Sequence, residues 1–243
     1  IRRPAGRRVS RIMIVNPNTT AEMTAAVVAA AAGVAAPGTQ LVGGTPARGV
    51  ASIESHVDEV WGALGVLEQV IAGEREGIDA YVIACFGDTG VPAAREVVAG
   101  PVVGMSEAAL LTAALIAHRF AIVTMPRRTI EQSDRVVAAL GLGHRCAVRA
   151  IDEPVSAVAH GSAHLLDAVA AEGRAAIADG AEAIVLGCAG LTDLMGPLRD
   201  ALGVPVIDGV LAAVTMAEGL LAQGLTTSRA ATFAAPERLG PDA

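Results

Sequence analysis

The chain has 243 residues, of which 53% are hydrophobic and only 2% aromatic, enough to bury a large aliphatic core in one or two domains. Its formal net charge is −7, and Arg2, Arg3, Arg7, Arg8 and Arg11 open the chain with no acid among them, so the remainder carries about −12, a poor surface for a nucleic-acid polyanion. No run of about 18 uninterrupted apolar residues suggests a membrane span, and the basic tail lacks the apolar stretch of a secretion signal, so a cytoplasmic protein is expected.

Taken in order, residues 1–10 read as a disordered basic tail, and Ile12 to Val15 as a short apolar strand. Asn18-Thr19-Thr20 then caps an alanine-rich helix from Ala21 to Gly33. A strand at Gln40 to Val42, a Gly/Thr/Pro-rich loop to Ser52 and a long helix from Ser55 to Glu76 follow. The first half closes with a strand at Val82 to Ala84, a helix from Val91 to Ala99, a strand at Val102 and Val103, and a helix from Glu107 to Ala117. Then the pattern restarts: strand Phe120 to Thr124, helix Thr129 to Leu140, strand Cys146 to Ala150, helix Ala163 to Asp179 and strand Ala183 to Leu186. A further helix, the strand Val206-Ile207 and a helix from Val210 to Ala222 end it, leaving 226–243 as a C-terminal tail.

Continuous apolar strands alternating with helices predict an α/β protein of two pseudo-symmetric halves, each a roughly four-stranded parallel sheet covered on both faces, with the active site in the cleft between them. The expected halves are 11–117 together with about 210–225, whose last helix crosses back, and 118–209. The duplication is visible in the letters. Ala-Tyr-Val-Ile-Ala-Cys85-Phe-Gly-Asp-Thr is echoed by Ala-Ile-Val-Leu-Gly-Cys188-Ala-Gly-Leu-Thr, and Arg11-Ile-Met-Ile-Val-Asn16 by Arg119-Phe-Ala-Ile-Val-Thr124.

In such folds ligands bind beyond the carboxyl ends of the strands, where Asn16, Cys85, Thr124 and Cys188 all fall. Paired thiols at matched positions, each followed two residues on by a glycine and then by a helix start, can address one substrate from two sides. Backbone N–H groups there would hold an anion or carbonyl oxygen. Asn16 and Asn18 suit both turn and ligand roles, and Asp88 and Asp208 read as turn residues near the cleft. Cys146, inside a strand-like run, reads as structural.

Three cysteines at spacings of 61 and 42 residues fit neither a disulfide framework nor a zinc pattern. His160 and His164 are one helical turn apart but lack the rest of a metalloprotease motif, so no metal is expected. All 18 basic residues are arginine. Without lysine there is no Schiff base to pyridoxal phosphate or to a carbonyl substrate, and no Walker loop. No cofactor is expected.

Asn16-Pro-Asn-Thr, Ser52-Ile-Glu, Ala84-Cys-Phe-Gly-Asp, Gly187-Cys-Ala-Gly and Pro205-Val-Ile-Asp-Gly, spread over residues 10–223, resemble the hydantoin racemases of the aspartate/glutamate racemase superfamily, which also holds allantoin racemases. The resemblance implies a homo-oligomeric, cofactor-independent racemase acting on a small molecule, a 5-substituted hydantoin. Cys85 and Cys188 would exchange a proton at ring C5 through an enolate. Asn16, Thr124 and the backbone of Phe86, Gly87, Ala189 and Gly190 would hold the substrate. Amino-acid racemases of the superfamily carry Asn-Thr after the first cysteine and Thr-His after the second, whereas Phe86-Gly87 and Ala189-Gly190 stand here, which favours a neutral ring. Retention of both cysteines separates the chain from arylmalonate decarboxylases, which keep the second alone. Allantoin, amino-acid and maleate-type isomerisation are the alternatives on this scaffold, with a noncatalytic ligand-binding protein as the other class.

Overall fold

A computed structural model describes residues 9–237. The first sheet has the order β2-β1-β3-β4, built from β1 (Arg11–Val15), β2 (Gln40–Gly44), β3 (Ala80–Ile83) and β4 (Val102–Gly104), and the second repeats it as β6-β5-β7-β8, from β5 (Phe120–Thr124), β6 (Cys146–Ala150), β7 (Ala183–Leu186) and β8 (Val206–Ile207). Every pairing is parallel. The duplication holds to the residue: Val15 pairs with Ile83 and Val123 with Leu186, so each cysteine of the echoed motif lies two residues beyond the paired end of its strand.

The central strands are apolar throughout because both faces are covered. Ile12, Ile14 and Val82 turn to a core that runs into the second half, while Met13, Val15, Tyr81 and Ile83 turn to a separate cluster under α2 (His56–Glu76) and α3 (Val91–Val97). The Tyr81 hydroxyl, buried there, donates to Glu74 Oε1 at 2.9 Å. Ser55 caps α2 by accepting from the Asp58 N–H, and Gly77 ends it in the left-handed region at φ 73°.

The remaining helices are α1 (Ala21–Ala31), α4 (Met105–Ile116), α5 (Ile130–Ala139), α6 (Leu166–Ala178), α7 (Met195–Leu202) and α8 (Gly209–Ala222). Two of them change sides. The helix that ends the first half, α4, packs on β7 and β8 of the second sheet, and α8, which ends the second half, packs on β3 and β4 of the first. They also pack on each other at their N-termini, where a Cβ on Gly209 would collide with the Met105 carbonyl. Only glycine permits that crossing.

Element edges differ from expectation for local reasons. The helix expected over Ala163 to Asp179 begins as a 3-10 turn, Ala163–Leu165, before becoming α-helical. Val98 leaves α3 with extended dihedrals, φ −108° and ψ 151°, so Ala99 is not helical. Residues 226–237 fold back over α3: Arg229 donates to the Arg95 and Glu96 carbonyls, and the Arg95 guanidinium lies 5.8 Å from the Phe233 ring centroid. The basic tail expected over 1–10 lies outside the described residues except for Val9 and Ser10. Among the described residues no helix is long and apolar enough to cross a membrane.

Candidate active site

The four central strands end at one cavity between the halves. Its lining includes Asn16 after β1, Cys85 and Phe86 after β3, Thr124 at the end of β5, and Cys188 and Ala189 after β7. Six of the eight predicted site residues therefore meet in one place. Gly87 and Gly190 do not line it. The Gly87 N–H donates to Ser106 Oγ at 2.7 Å, which ties the Cys85 loop to α4, and the Gly190 N–H is directed at the Cys188 sulfur. Gly187 allows the second loop to approach β5, since a Cβ there would stand 2.8 Å from Thr124 Cα.

All three thiols are unpaired. Burial pushes Cys85 up to about 12, partly offset by a hydrogen bond with Thr89 Oγ1 at 3.4 Å, and the charge of Cys188 raises it further. Burial likewise pushes Cys188 up to about 11, offset by the Gly190 N–H. Each thiolate thus has one donor: a hydroxyl for Cys85, which can also turn and accept, and a backbone amide for Cys188, which can only donate. A second thiolate in the same low-dielectric cavity is strongly disfavoured. At neutral pH both thiols are therefore mainly protonated, and a thiolate made costly by burial is a stronger base than a solvated one.

The two acids near the cleft are helix caps. Asp88 sits at φ 54°, held there by accepting from the Ser106 N–H at 2.8 Å and the Glu107 N–H at 2.9 Å, at the start of α4. It replaces the side chain that Gly104, the residue before α4, cannot supply. Burial raises its pKa to about 6. Asp208 caps α8 directly through the Val210 and Leu211 N–H groups and accepts from Thr192 Oγ1 at 2.6 Å, and burial raises its pKa as well.

Asn16 is committed to the loop that follows it. Its Nδ2 donates to Asn18 Oδ1, Thr20 O and Thr24 Oγ1, and its Oδ1 accepts from the Asn18 N–H. Thr124 Oγ1 donates to Gly187 O at 3.2 Å and meets Thr129 Oγ1 at 3.1 Å, joining β5 to the Cys188 loop. Sequence reasoning missed Met23, Thr129, Gln132, Ser133 and Val155, which complete the lining with Pro17, Asn18, Ile53, Ala84 and Gly187. One signal was available: Ser133, Val137 and Leu140 share a helical face, so a polar residue on that face points inward rather than to solvent. Among the described residues no charged side chain lines the cavity. Among the described residues no cluster of three or more His, Cys, Asp or Glu could hold a metal ion.

Known proteins place this geometry. Residues 12–217 match the family model described as Asp/Glu/Hydantoin racemase. A hydantoin racemase of Rhizobium meliloti is 45% identical over 93% of this chain and 94% of its own length, and one of Pseudomonas sp. (strain NS671) is 41% identical over 94% and 92%. Among solved structures, an allantoin racemase from Klebsiella pneumoniae superposes with a TM-score of 0.92 at 46% identity, covering 96% of this chain and 99% of that one. The chain belongs to the Asp/Glu/hydantoin racemase family, and it is an isomerase of the racemase type.

Proposed function

We propose that this racemase inverts C5 of 5-substituted hydantoins by two-base proton transfer between Cys85 and Cys188, without a cofactor. The observation that carries the reading is that both thiols line one cavity in which, among the described residues, no side chain is charged. A neutral cyclic diamide suits such a lining, whereas an amino acid would bring a carboxylate and an ammonium with nothing to pair them. One thiolate removes the C5 proton, the electron pair moves onto the C4 carbonyl oxygen as an enolate, and the opposing thiol gives its proton to the other face. The cysteines leave with their protonation states exchanged. Phe86 and Ala189, with Met23, form the wall around the substituent. Asn16 and Thr124 act by fixing the loops on which the substrate rests, and Gly87 and Gly190 act through their amides.

Allantoin is the second reading, favoured by the 46% identity to a solved allantoin racemase. Chemically it is a hydantoin with a ureido group on C5, so the two readings differ in the substituent alone. The three unpaired thiols suit a reducing compartment, and we place the protein in the cytoplasm. We also infer a homo-oligomer, since Val57, Val60, Trp61 and Leu64 form an exposed apolar face along α2 at i, i+3, i+4 and i+7. Sedimentation equilibrium tests that inference, with a monomer as the refuting result.

The deciding experiment is proton NMR with polarimetry on enantiopure 5-benzylhydantoin and on allantoin in deuterated water, against the Cys85→Ser/Cys188→Ser double variant. Enzyme-dependent loss of the C5 proton together with loss of rotation is expected, and the faster substrate identifies the substituent. No acceleration over the double variant on either compound would sink the reading.

A further inference from the structure

Two side chains in the cavity have no partner. Gln132 is 4% exposed and Ser133 1%, both line the cavity that holds the cysteines, and among the described residues neither side chain has a hydrogen-bond partner. Among the described residues no buried side-chain N or O lacks a partner, so the free polar atoms of these two residues are ones that open onto the cavity, where polar groups of a ligand can pair with them.

The pseudo-symmetry explains why they are free. Both α1 and α5 begin directly after a threonine, Thr20 and Thr129, and their third and fourth residues correspond: Met23 and Thr24 in the first half, Gln132 and Ser133 in the second. In the first half, Asn16 is long enough to reach Thr24, and Thr45 Oγ1 also donates to it at 2.7 Å. The counterpart of Asn16 is Thr124, whose shorter side chain stops at Thr129. One wall of the cavity is therefore a methionine over a closed hydrogen-bond network. The facing wall is an open amide and hydroxyl.

We propose that Gln132, assisted by the Ser133 hydroxyl, reads the cis-amide edge of the substrate ring, Nε2 donating to a ring carbonyl and Oε1 accepting from the neighbouring ring N–H, so that the C5 substituent is turned toward Met23. The inference rests on the hydantoin reading above and adds a specificity-determining residue to it. Any ligand with adjacent N–H and C=O groups in one plane, a hydantoin or other cyclic imide or ureide, fits this pair. A linear amino acid does not.

The test is steady-state racemisation of 5-benzylhydantoin and of its N1-methyl and N3-methyl derivatives by the wild-type enzyme and by Gln132→Met, which keeps length and burial but removes both hydrogen-bonding atoms. The expected result is a loss in kcat/KM of roughly 100-fold on the parent compound, shrinking to a few-fold on the derivative methylated at the edge Gln132 reads. An equal loss on all three compounds, or no loss, overturns the proposal and makes Gln132 a packing residue. Should Gln132→Met not fold, Gln132→Asn, which withdraws the amide by one methylene, carries the same comparison. Where methylation abolishes turnover altogether, the side-chain amide NMR signals of Gln132 on adding unsubstituted hydantoin decide it. A shift with slowed amide exchange supports the pairing, and unmoved signals refute it. If the wild-type enzyme exchanges no C5 proton of any hydantoin, the functional reading fails and this inference falls with it; normal turnover with an indifferent Gln132 sinks the inference alone.

Discussion

The two halves place their cysteines at matched positions on matched strands, yet they surround them differently. In the first half Thr89, four residues after Cys85, is hydrogen-bonded to the thiol, and the carboxylate that caps the next helix comes from Asp88 in the same loop. In the second half Thr192, four residues after Cys188, is bonded instead to Asp208, and the thiol is served by the Gly190 amide. Moving one carboxylate from position 208 to the loop of the other half frees a hydroxyl. The comparison teaches that a duplicated backbone can supply two bases in register while side chains set each base apart.

The largest effect should come from removing either base. Cys85→Ser and Cys188→Ser should each lower racemisation by about 10³-fold or more, and each single variant should retain exchange of the C5 proton on one enantiomer, opposite for the two. Polarimetry with proton NMR in deuterated water reads both quantities; exchange on both enantiomers by one variant would contradict opposed bases.

Next comes pH. Both thiols are raised by burial, Cys85 to about 12 and Cys188 to about 11, so the thiolate fraction grows with pH across the neutral and mildly alkaline range. Accordingly kcat/KM should rise roughly tenfold per unit from pH 7 to pH 9, reporting one proton lost. A flat profile would mean that the base is already ionised in the free enzyme.

Thr89→Val sharpens the comparison directly. Because the two enantiomers are equal in free energy, kcat/KM must be the same in both directions, and an unequal role shows only in exchange. Combined with Cys188→Ser, Thr89→Val should slow solvent exchange roughly tenfold, and that loss should exceed the loss in the Cys85→Ser background at least about fivefold. Thr89→Ser should restore it. Equal losses in the two backgrounds would make Thr89 a packing residue.

The smallest effect concerns Asp88. Its folded-state pKa of about 6 lies above the ordinary value of 3.8, so the folded protein binds more protons between those limits, and stability falls as pH rises through that window. Asp88→Asn should flatten this slope, so that the cost of the weakened cap, about 1 kcal/mol at pH 4, shrinks toward pH 7. Denaturant midpoints at pH 4 and pH 7 measure both terms.

Most of this architecture was legible because the central strands are short, continuously apolar runs between helical stretches, and because the cysteine loops repeat their Cys, Gly and Thr at the same spacing. What a helix packs against was less so. Ala108, Ala109 and Ala113 of α4 are all fully buried, but alanine on every side gives no preferred face, and nothing local says that the buried side meets the other sheet. Asn16 shows a different limit. An amide after a strand can serve a ligand or its own loop, and only the reach to Thr24 decides. Gln132 went unread because glutamine near a helix start ordinarily faces water. The contacts that residues 226–237 make with the first half join positions more than 120 apart, such as Arg229 and Arg95, with no pattern to announce them.

The crossing of α4 and α8 has a consequence for how the molecule holds together. Since each sheet is covered by a helix delivered from the other half, neither half owns a complete core, and a chain severed between Ala117 and Phe120 would yield two fragments with complementary bare faces. Such fragments should be insoluble or unfolded apart and should reassemble when mixed, because covalent linkage supplies effective concentration rather than contacts. The exchange is the geometry of a domain-swapped pair of like units. A single polypeptide has made that partnership permanent, leaving each thiol free to diverge in its surroundings without losing sight of the other.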